Sequence, residues 1–292
     1  MLLPKFDYHE PKGVDEACEM MAELGDAARP IAGGTDLIVN MKKGLLSPGH
    51  VVSLGRIADL QVLDAGDGTL TLGGCVTAAR VAESEQAAAG FGALAAGAGV
   101  LGSPLIRNLA TVAGNLVSAR PAADLPPPLM ACGAEAVLKS VSGERFVPLE
   151  EFFEGPGQTV IRADELLTHV RLRKPGGYSG SGYEKLGVRR TLEISLVNVA
   201  AFLSMDDPDG PIREARIVLG AVAPKPVRAP SAEKALVGEK PTESLFVRAG
   251  EAAIGDCSPI DDFRGSAEYR RDMVAVLTKR ALIKALEDAR RA

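Results

Sequence analysis

Short apolar runs, each cut off by glycine or proline, dominate this chain and limit what it can fold into. It holds 32 glycines and 19 prolines among 292 residues, about one residue in six where about one in eight is usual. Without a triplet period, that excess means many turns and many close approaches of backbone to backbone. No stretch of about 18 apolar residues runs uninterrupted, so no segment reads as a membrane span. The opening MLLPKFDYHEPK has no long apolar core behind a basic region and predicts no secretory leader. Apolar residues make up 46% and charged residues 24%, enough apolar surface to offset the entropy of ordering the chain. The net charge of −5 argues against a surface built to coat nucleic acid. Cys18, Cys75, Cys132 and Cys257 stand far apart. They read as reduced thiols rather than a disulfide framework, a zinc site or iron–sulfur ligands. The expected location is cytoplasmic.

Periodicity gives a coarse map. VDEACEMMAEL repeats its apolar residues at helical spacing and stops at Gly25. RPIAGGTDLIVNMKKG reads as a strand end, a Gly-Gly turn and a short helix closed by Lys42, Lys43 and Gly44. Val51 to Thr77 breaks into short alternating runs of β character, and Ala79 to Ala98 is alanine-rich and helical. Glu144 to Arg173 predicts strand, loop, strand. KPGGYSGSGYE, from Lys174 to Glu184, is the best linker candidate. Three apolar runs follow: Tyr183 to Gly187, Ile194 to Met205, and Ile217 to Val222. A closing helix is expected from about Ala267 to Arg290, with Ser266 as N-cap and Met273, Val276, Leu277 and Leu282 on one face. Strands and helices neither alternate strictly nor segregate, which predicts an α+β assembly of two or three modules.

Two polar, glycine-bearing segments are candidates for ligand contact. In Ala32-Gly33-Gly34-Thr35-Asp36-Leu37, paired glycines before a helix let backbone approach a bulky anion; an ordinary capped turn is the plainer reading. The segment from Ile106 to Asn115, with Ser118 to Asp124, sets Thr, Gly, Asn and Ser inside an otherwise apolar stretch. Its polar groups need partners, and a polar ligand or water and neighbouring side chains would each supply them. A G-x-G-x-x-G at Gly97, Gly99 and Gly102 lacks a preceding strand and reads as a chance match. His9, His50 and His169 lie outside both segments, and no nucleophile–base pair is visible. Chemistry carried by a cofactor remains.

Taken in order, FDYHEPKGVDEA, AGGTDL, IRNLATVAGNLVSARPAADLPPPL, YEKLGVRR, IVLGAVAPKPVRA and SAEYRR resemble the FAD-binding medium subunit of the molybdenum hydroxylases. That family includes carbon monoxide, nicotinate and xanthine dehydrogenases, and the resemblance spans essentially the whole chain. It implies a two-part FAD-binding domain of the PCMH (vanillyl-alcohol-oxidase-like) type over residues 1–175, with subdomains 1–52 and 53–175. A smaller α+β C-terminal domain of the CO dehydrogenase flavoprotein type would fill 176–292. By the same resemblance, Gly33 and Gly34 grip the FAD pyrophosphate, flanked by Pro30, Ile31, Ala32, Thr35, Asp36 and Leu37. Ala110, Thr111, Ala113, Gly114 and Asn115 match the second flavin loop. Asp124, Leu167, Lys185 and Ile194 match further cofactor positions. No residue of this chain is implied as a catalyst or metal ligand.

The resemblance further implies a large molybdopterin-binding partner, a small [2Fe–2S] partner and a dimer of heterotrimers. Electrons would pass from the partner clusters to FAD and on to an acceptor such as NAD or a quinone. Two departures stand out. Ala113 replaces the second loop's first glycine, and Arg120 stands where a small serine is common. A stand-alone flavin reductase, or a structural bridging subunit with weakened FAD binding through Ala113, are the alternative readings.

Overall fold

The computed structural model describes residues 2–189 and 192–291 and contains three main sheets. The first is parallel and small, built from β1 (Asp7–His9), β2 (Ala28–Ile31) and β3 (His50–Ser53), with β3 in the middle. The helix Val14–Leu24 connects β1 to β2 and coincides with VDEACEMMAEL. It buries Val14, Ala17, Cys18 and Met21 against Val52, Leu54 and Ile57. Gly25 ends it at φ = +52°, a left-handed stop that glycine adopts freely.

The second sheet is antiparallel. Its strands are β4 (Leu63–Gly66), β5 (Thr69–Gly73), β6 (Glu135–Ser140), β7 (Gly143–Pro148) and β10 (Leu166–Arg173), in the order β4-β5-β10-β6-β7. A small hairpin of β8 (Phe153–Gly155) and β9 (Gln158–Thr159) stands apart. Between β5 and β6 the chain runs through short helices, among them Gly92–Gly99, Val112–Val117 and Pro126–Ala131. Gly97 and Gly99 lie inside the first of these, so the G-x-G-x-x-G string is no strand-to-helix turn.

The third sheet runs β11 (Tyr178–Leu186), β12 (Val197–Met205), β13 (Ile212–Gly220) and β14 (Val227–Arg228), all antiparallel neighbours. All nine residues of β12 are buried, because both faces of this sheet are covered. Ala200 and Phe202 face the core shared with the central helices and the second sheet. Val197, Val199, Ala201, Leu203 and Met205 face the C-terminal helices. With both faces buried, seven of the nine residues are apolar, Asn198 and Ser204 being the exceptions.

Two expectations need correction. The glycine-rich stretch from Lys174 to Glu184 is a linker only at its start, since Tyr178 onward is β11. A Cβ on Gly180 or Gly182 would overlap the backbone of the helix Ala267–Ala289. The glycines serve close packing of strand and helix, not flexibility. In that closing helix, Ser266 caps the Tyr269 N–H as expected. Its buried stripe is Val274, Leu277, Ala281, Leu282, Ala285 and Ala289, however, while Val276 is 37% exposed. Among the described residues no helix is long and apolar enough to cross a membrane, and all four cysteines are free thiols. Burial pushes the Cys75 thiol up to about 11 and the Cys132 thiol to about 12.

Candidate functional site

Two turns from different elements meet backbone to backbone. Gly34, after β2, holds φ = +71°, where glycine meets no steric cost. Gly33 is needed for another reason: a Cβ there would overlap the carbonyl oxygen of Leu109. The first turn therefore rests directly on the second loop. In that loop Thr111 Oγ1 accepts the Gly114 N–H at 3.1 Å and caps the helix Val112–Val117. Asn115 Oδ1 accepts the Leu125 N–H at 3.2 Å, tying the loop to the segment that bears Asp124. Ala113 lies in the helix's first turn, is absent from the positive-φ positions, and donates its N–H to Gly74 O at 3.0 Å. Alanine fits this backbone without strain.

Beside the turns opens a cavity of about 820 Å³, a size suited to a bulky organic cofactor. Asp36, Asn115, Ser118, Arg120 and Asp124 wall one side; Ile194, Ser195, Ala221, Ile260 and Arg270 wall the other. Both halves of the chain thus build it. Apolar wall comes from Val39, Leu101, Ile194, Pro224 and Ile260, while among the described residues no histidine or cysteine lines it.

Of the residues expected at a cofactor, Asp36, Asn115, Asp124 and Ile194 line the cavity. Pro30, Ile31, Ala32, Gly33, Gly34, Thr35 and Leu37 are half-buried in and beside the first turn. Ala110 and Thr111 are buried at the head of the second loop, with Ala113 and Gly114 half-buried beyond them. Leu167 does not line the cavity: its side chain is buried among core residues at an irregularity in β10, while its carbonyl lies beside Gly74, which bonds Ala113 of the second loop.

Lys185 and Asp124 meet each other across the two halves of the chain. Lys185 Nζ donates to Asp124 Oδ2 at 2.8 Å, to Glu193 O at 3.1 Å and to Val100 O at 3.3 Å. An ammonium has three N–H donors, and all three are taken within the chain. Asp124 Oδ1 accepts from the Tyr183 hydroxyl and from Ser195 Oγ, both at 2.9 Å. Burial and the adjacent Asp124 carboxylate hold the Tyr183 phenol well above its usual range, so it stays a donor. These contacts join the two halves of the chain at the cavity's edge, where Asp124 lines the wall and Lys185 is bonded to it.

Sequence reading missed Tyr183, Ser195, Asp262 and Arg270. Arg270, 3% exposed, lies 2.7 Å from Asp262 and donates to the carbonyls of Leu196 and Ala221, each at 3.2 Å. Burial raises the Asp262 carboxyl, but the Arg264 N–H and the Arg270 guanidinium outweigh it and lower it overall. Tyr183 and Arg270 stand within YEKLGVRR and SAEYRR, but nothing in those strings, or around Ser195 and Asp262, marks them as site residues. His9 and His50 face each other at 3.1 Å on the first sheet, and His169 bonds Asp59 O, all away from the cavity.

Glycine turns stacked on each other beside a large, two-sided, partly apolar cavity define a protein that holds a nucleotide-type cofactor. Comparison with known proteins narrows the class. Residues 4–175 match the family model described as the FAD binding domain in molybdopterin dehydrogenase, and residues 183–285 match the CO dehydrogenase flavoprotein C-terminal domain. The chain belongs to this family of oxidoreductase FAD-binding subunits. The carbon monoxide dehydrogenase medium chain of Hydrogenophaga pseudoflava is 31% identical, over 97% of each chain. The nicotine 6-hydroxylase medium subunit of Paenarthrobacter nicotinovorans is 33% identical, over 98% of this chain and 99% of that one. A solved carbon monoxide dehydrogenase from H. pseudoflava, lacking the Mo-pyranopterin moiety of its molybdenum cofactor, superposes with a TM-score of 0.93 at 32% identity, covering 99% of each chain. FAD is the cofactor of the matched family, and the residues fit it: the first turn, seated on the second loop, and that loop place Asp36 and Asn115 on the wall of a cavity of sufficient volume.

Proposed function

We propose that this chain is the FAD-carrying electron-transfer subunit of a molybdenum-containing hydroxylase. It would take electrons from the [2Fe–2S] clusters of a small partner chain, which receives them from a large molybdopterin-binding chain, in a dimer of heterotrimers in the cytoplasm. The observation that carries this reading is the cavity itself, walled by Asp36 of the first turn and Asn115 of the second loop and furnished for holding rather than for acid–base or nucleophilic work. Bound FAD would supply the redox chemistry, accepting electrons singly and delivering them singly or in pairs to NAD or a quinone. The chain's own residues would bind and orient it: the first turn at the pyrophosphate, the second loop along the ribityl chain, and Ile194 against the ring. Lys185, Asp124, Tyr183 and Ser195 would keep the two halves closed around it and water out. The substrate would be chosen on another chain, consistent with relatives named for substrates as different as carbon monoxide and nicotine.

The bridging-subunit reading leaned on Ala113, and its unstrained helical backbone removes that support. A tagged chain isolated from its native cells tests the rest. It is expected to bring down one large and one small partner, with molybdenum, iron and about one FAD per copy. Recovery of a lone flavoprotein that turns over NADH or NADPH by itself would favour the stand-alone reductase.

A further inference from the structure

Charges on the cavity wall pair off unevenly. Asp124 is held by Lys185 at 2.8 Å, Glu193 by Arg189 at 2.8 Å, and Asp262 by Arg270 at 2.7 Å. Beside the Gly33–Gly34 turn the pairing is looser. Arg120 Nε stands 3.7 Å from Asp36 Oδ1, and the two side chains remain 57% and 49% exposed. Among the described residues, Arg120 has no other carboxylate within ion-pair distance. Lys43, on the same wall, adds a second cation there.

The backbone that carries Arg120 is held in an unfavourable shape. Ala119 adopts φ = +42°, a left-handed conformation that an alanine disfavours. It is nevertheless buried and pinned. The Gly157 N–H bonds Ala119 O at 2.9 Å, the Ala123 N–H bonds Arg120 O at 3.0 Å, and the Ala221 N–H bonds Pro121 O at 2.8 Å. Backbone strain persists only where surroundings over-determine it, and it clusters at ligand clamps. Here it fixes the Arg120 backbone beside Asp36, which itself lies three residues from Gly33.

We propose that Arg120 selects a diphosphate-bearing flavin, its guanidinium recognising the pyrophosphate while its pairing with Asp36 cancels that carboxylate's repulsion of the anion. The inference rests on the reading that FAD occupies this cavity. A planar guanidinium offers two parallel N–H donors to phosphate oxygens, a fit that an ammonium cannot reproduce. Asp36 alone, next to an anion-binding turn, would repel two phosphate charges; paired, it holds Arg120 in place.

The full chain, stripped of flavin, can be titrated with FAD and with riboflavin, which lacks both phosphates. Arg120→Ser is expected to weaken FAD binding about 10- to 100-fold, the loss typical of a charged hydrogen-bond partner. Riboflavin binding is expected to change less than twofold. The salt dependence of FAD binding should flatten in the same variant, and Arg120→Lys should recover only part of the affinity. Unchanged circular dichroism and thermal unfolding will separate a local loss from misfolding. FAD affinity within twofold of the unsubstituted chain, or an equal loss for FAD and riboflavin, would overturn the proposal. An unsubstituted chain that binds neither flavin would instead refute the flavoprotein reading, and Arg120's role with it.

Discussion

At the scale of single residues, one hydrogen in place of a methyl decides whether the two turns can touch. Gly33→Ala sets a Cβ against the Leu109 carbonyl, so the turns must separate. Overpacking of this kind costs about 1–3 kcal/mol. Urea unfolding should show that loss, and equilibrium dialysis should show FAD affinity reduced by more than about tenfold. Ala113→Gly is expected to do the opposite of what a damaged loop would suggest. It puts glycine into a helix turn where alanine is unstrained, lowering stability by about 1 kcal/mol. FAD affinity should stay within about tenfold, as flavin fluorescence titration would report. The Gly33–Gly34 turn was legible because its two glycines stand together before a helical pattern. The reason for Gly33 was not, since Leu109 lies in a loop far away in sequence. Leu167 matched a family position by its string, and its burial in the core depends on packing that the string does not carry.

At the scale of elements, the contact between β11 and the closing helix was the largest misreading. Glycine, serine and tyrosine in KPGGYSGSGYE have the composition of a flexible connection. The same residues serve a strand that presents bare backbone to a helix. Gly182→Val is expected to push the helix Ala267–Ala289 away, costing about 1–3 kcal/mol, with faster amide exchange in that helix as its signature. Helix Val14–Leu24 and the cap at Ser266 were readable because caps and 3.6-residue periodicity are local properties. The buried stripe of the last helix was not fully readable, because alanines fill it where larger apolar residues were sought. Another element contact carries a pH dependence. Arg145, on β7, binds Glu165 through Nε at 2.6 Å and Nη2 at 2.8 Å, and the Arg162 N–H adds a bond at 2.8 Å. The Arg145 guanidinium holds the Glu165 carboxyl below its usual value of 4.5. A lowered carboxyl stabilises the fold fully above that value and loses the contribution as acid protonates it. Unfolding free energy should therefore fall below about pH 4.5, and Glu165→Gln should flatten that part of the profile.

At the scale of the whole molecule, the ion pair of Asp124 and Lys185 joins the FAD-binding part to the C-terminal part. Their side chains are only 8% and 10% exposed, so removing one leaves the other buried without its partner. Breaking a buried pair typically costs about 3–5 kcal/mol. Asp124→Ala should show such a loss in urea unfolding even with no flavin present, because Tyr183 and Ser195 lose their acceptor too. A loss seen only with FAD bound would show that Asp124 acts on the cofactor and not on domain closure. The α+β class, the family and the two loops were readable from ordered short strings. The shared cavity was not, because nothing in the strings that supply its far wall says which of their residues face it.

That wall has a further consequence for how the protein is made. The cavity runs from Asp36 on the near side to Arg270 on the far side, so a chain still leaving the ribosome has only part of its binding site. Domains fold from the N-terminus as they emerge, and the first glycine turn will be formed long before its counterpart exists. A cofactor that needs both walls can be enclosed only after Arg270 has emerged, and a nascent product truncated before it has no complete cavity in which to trap one.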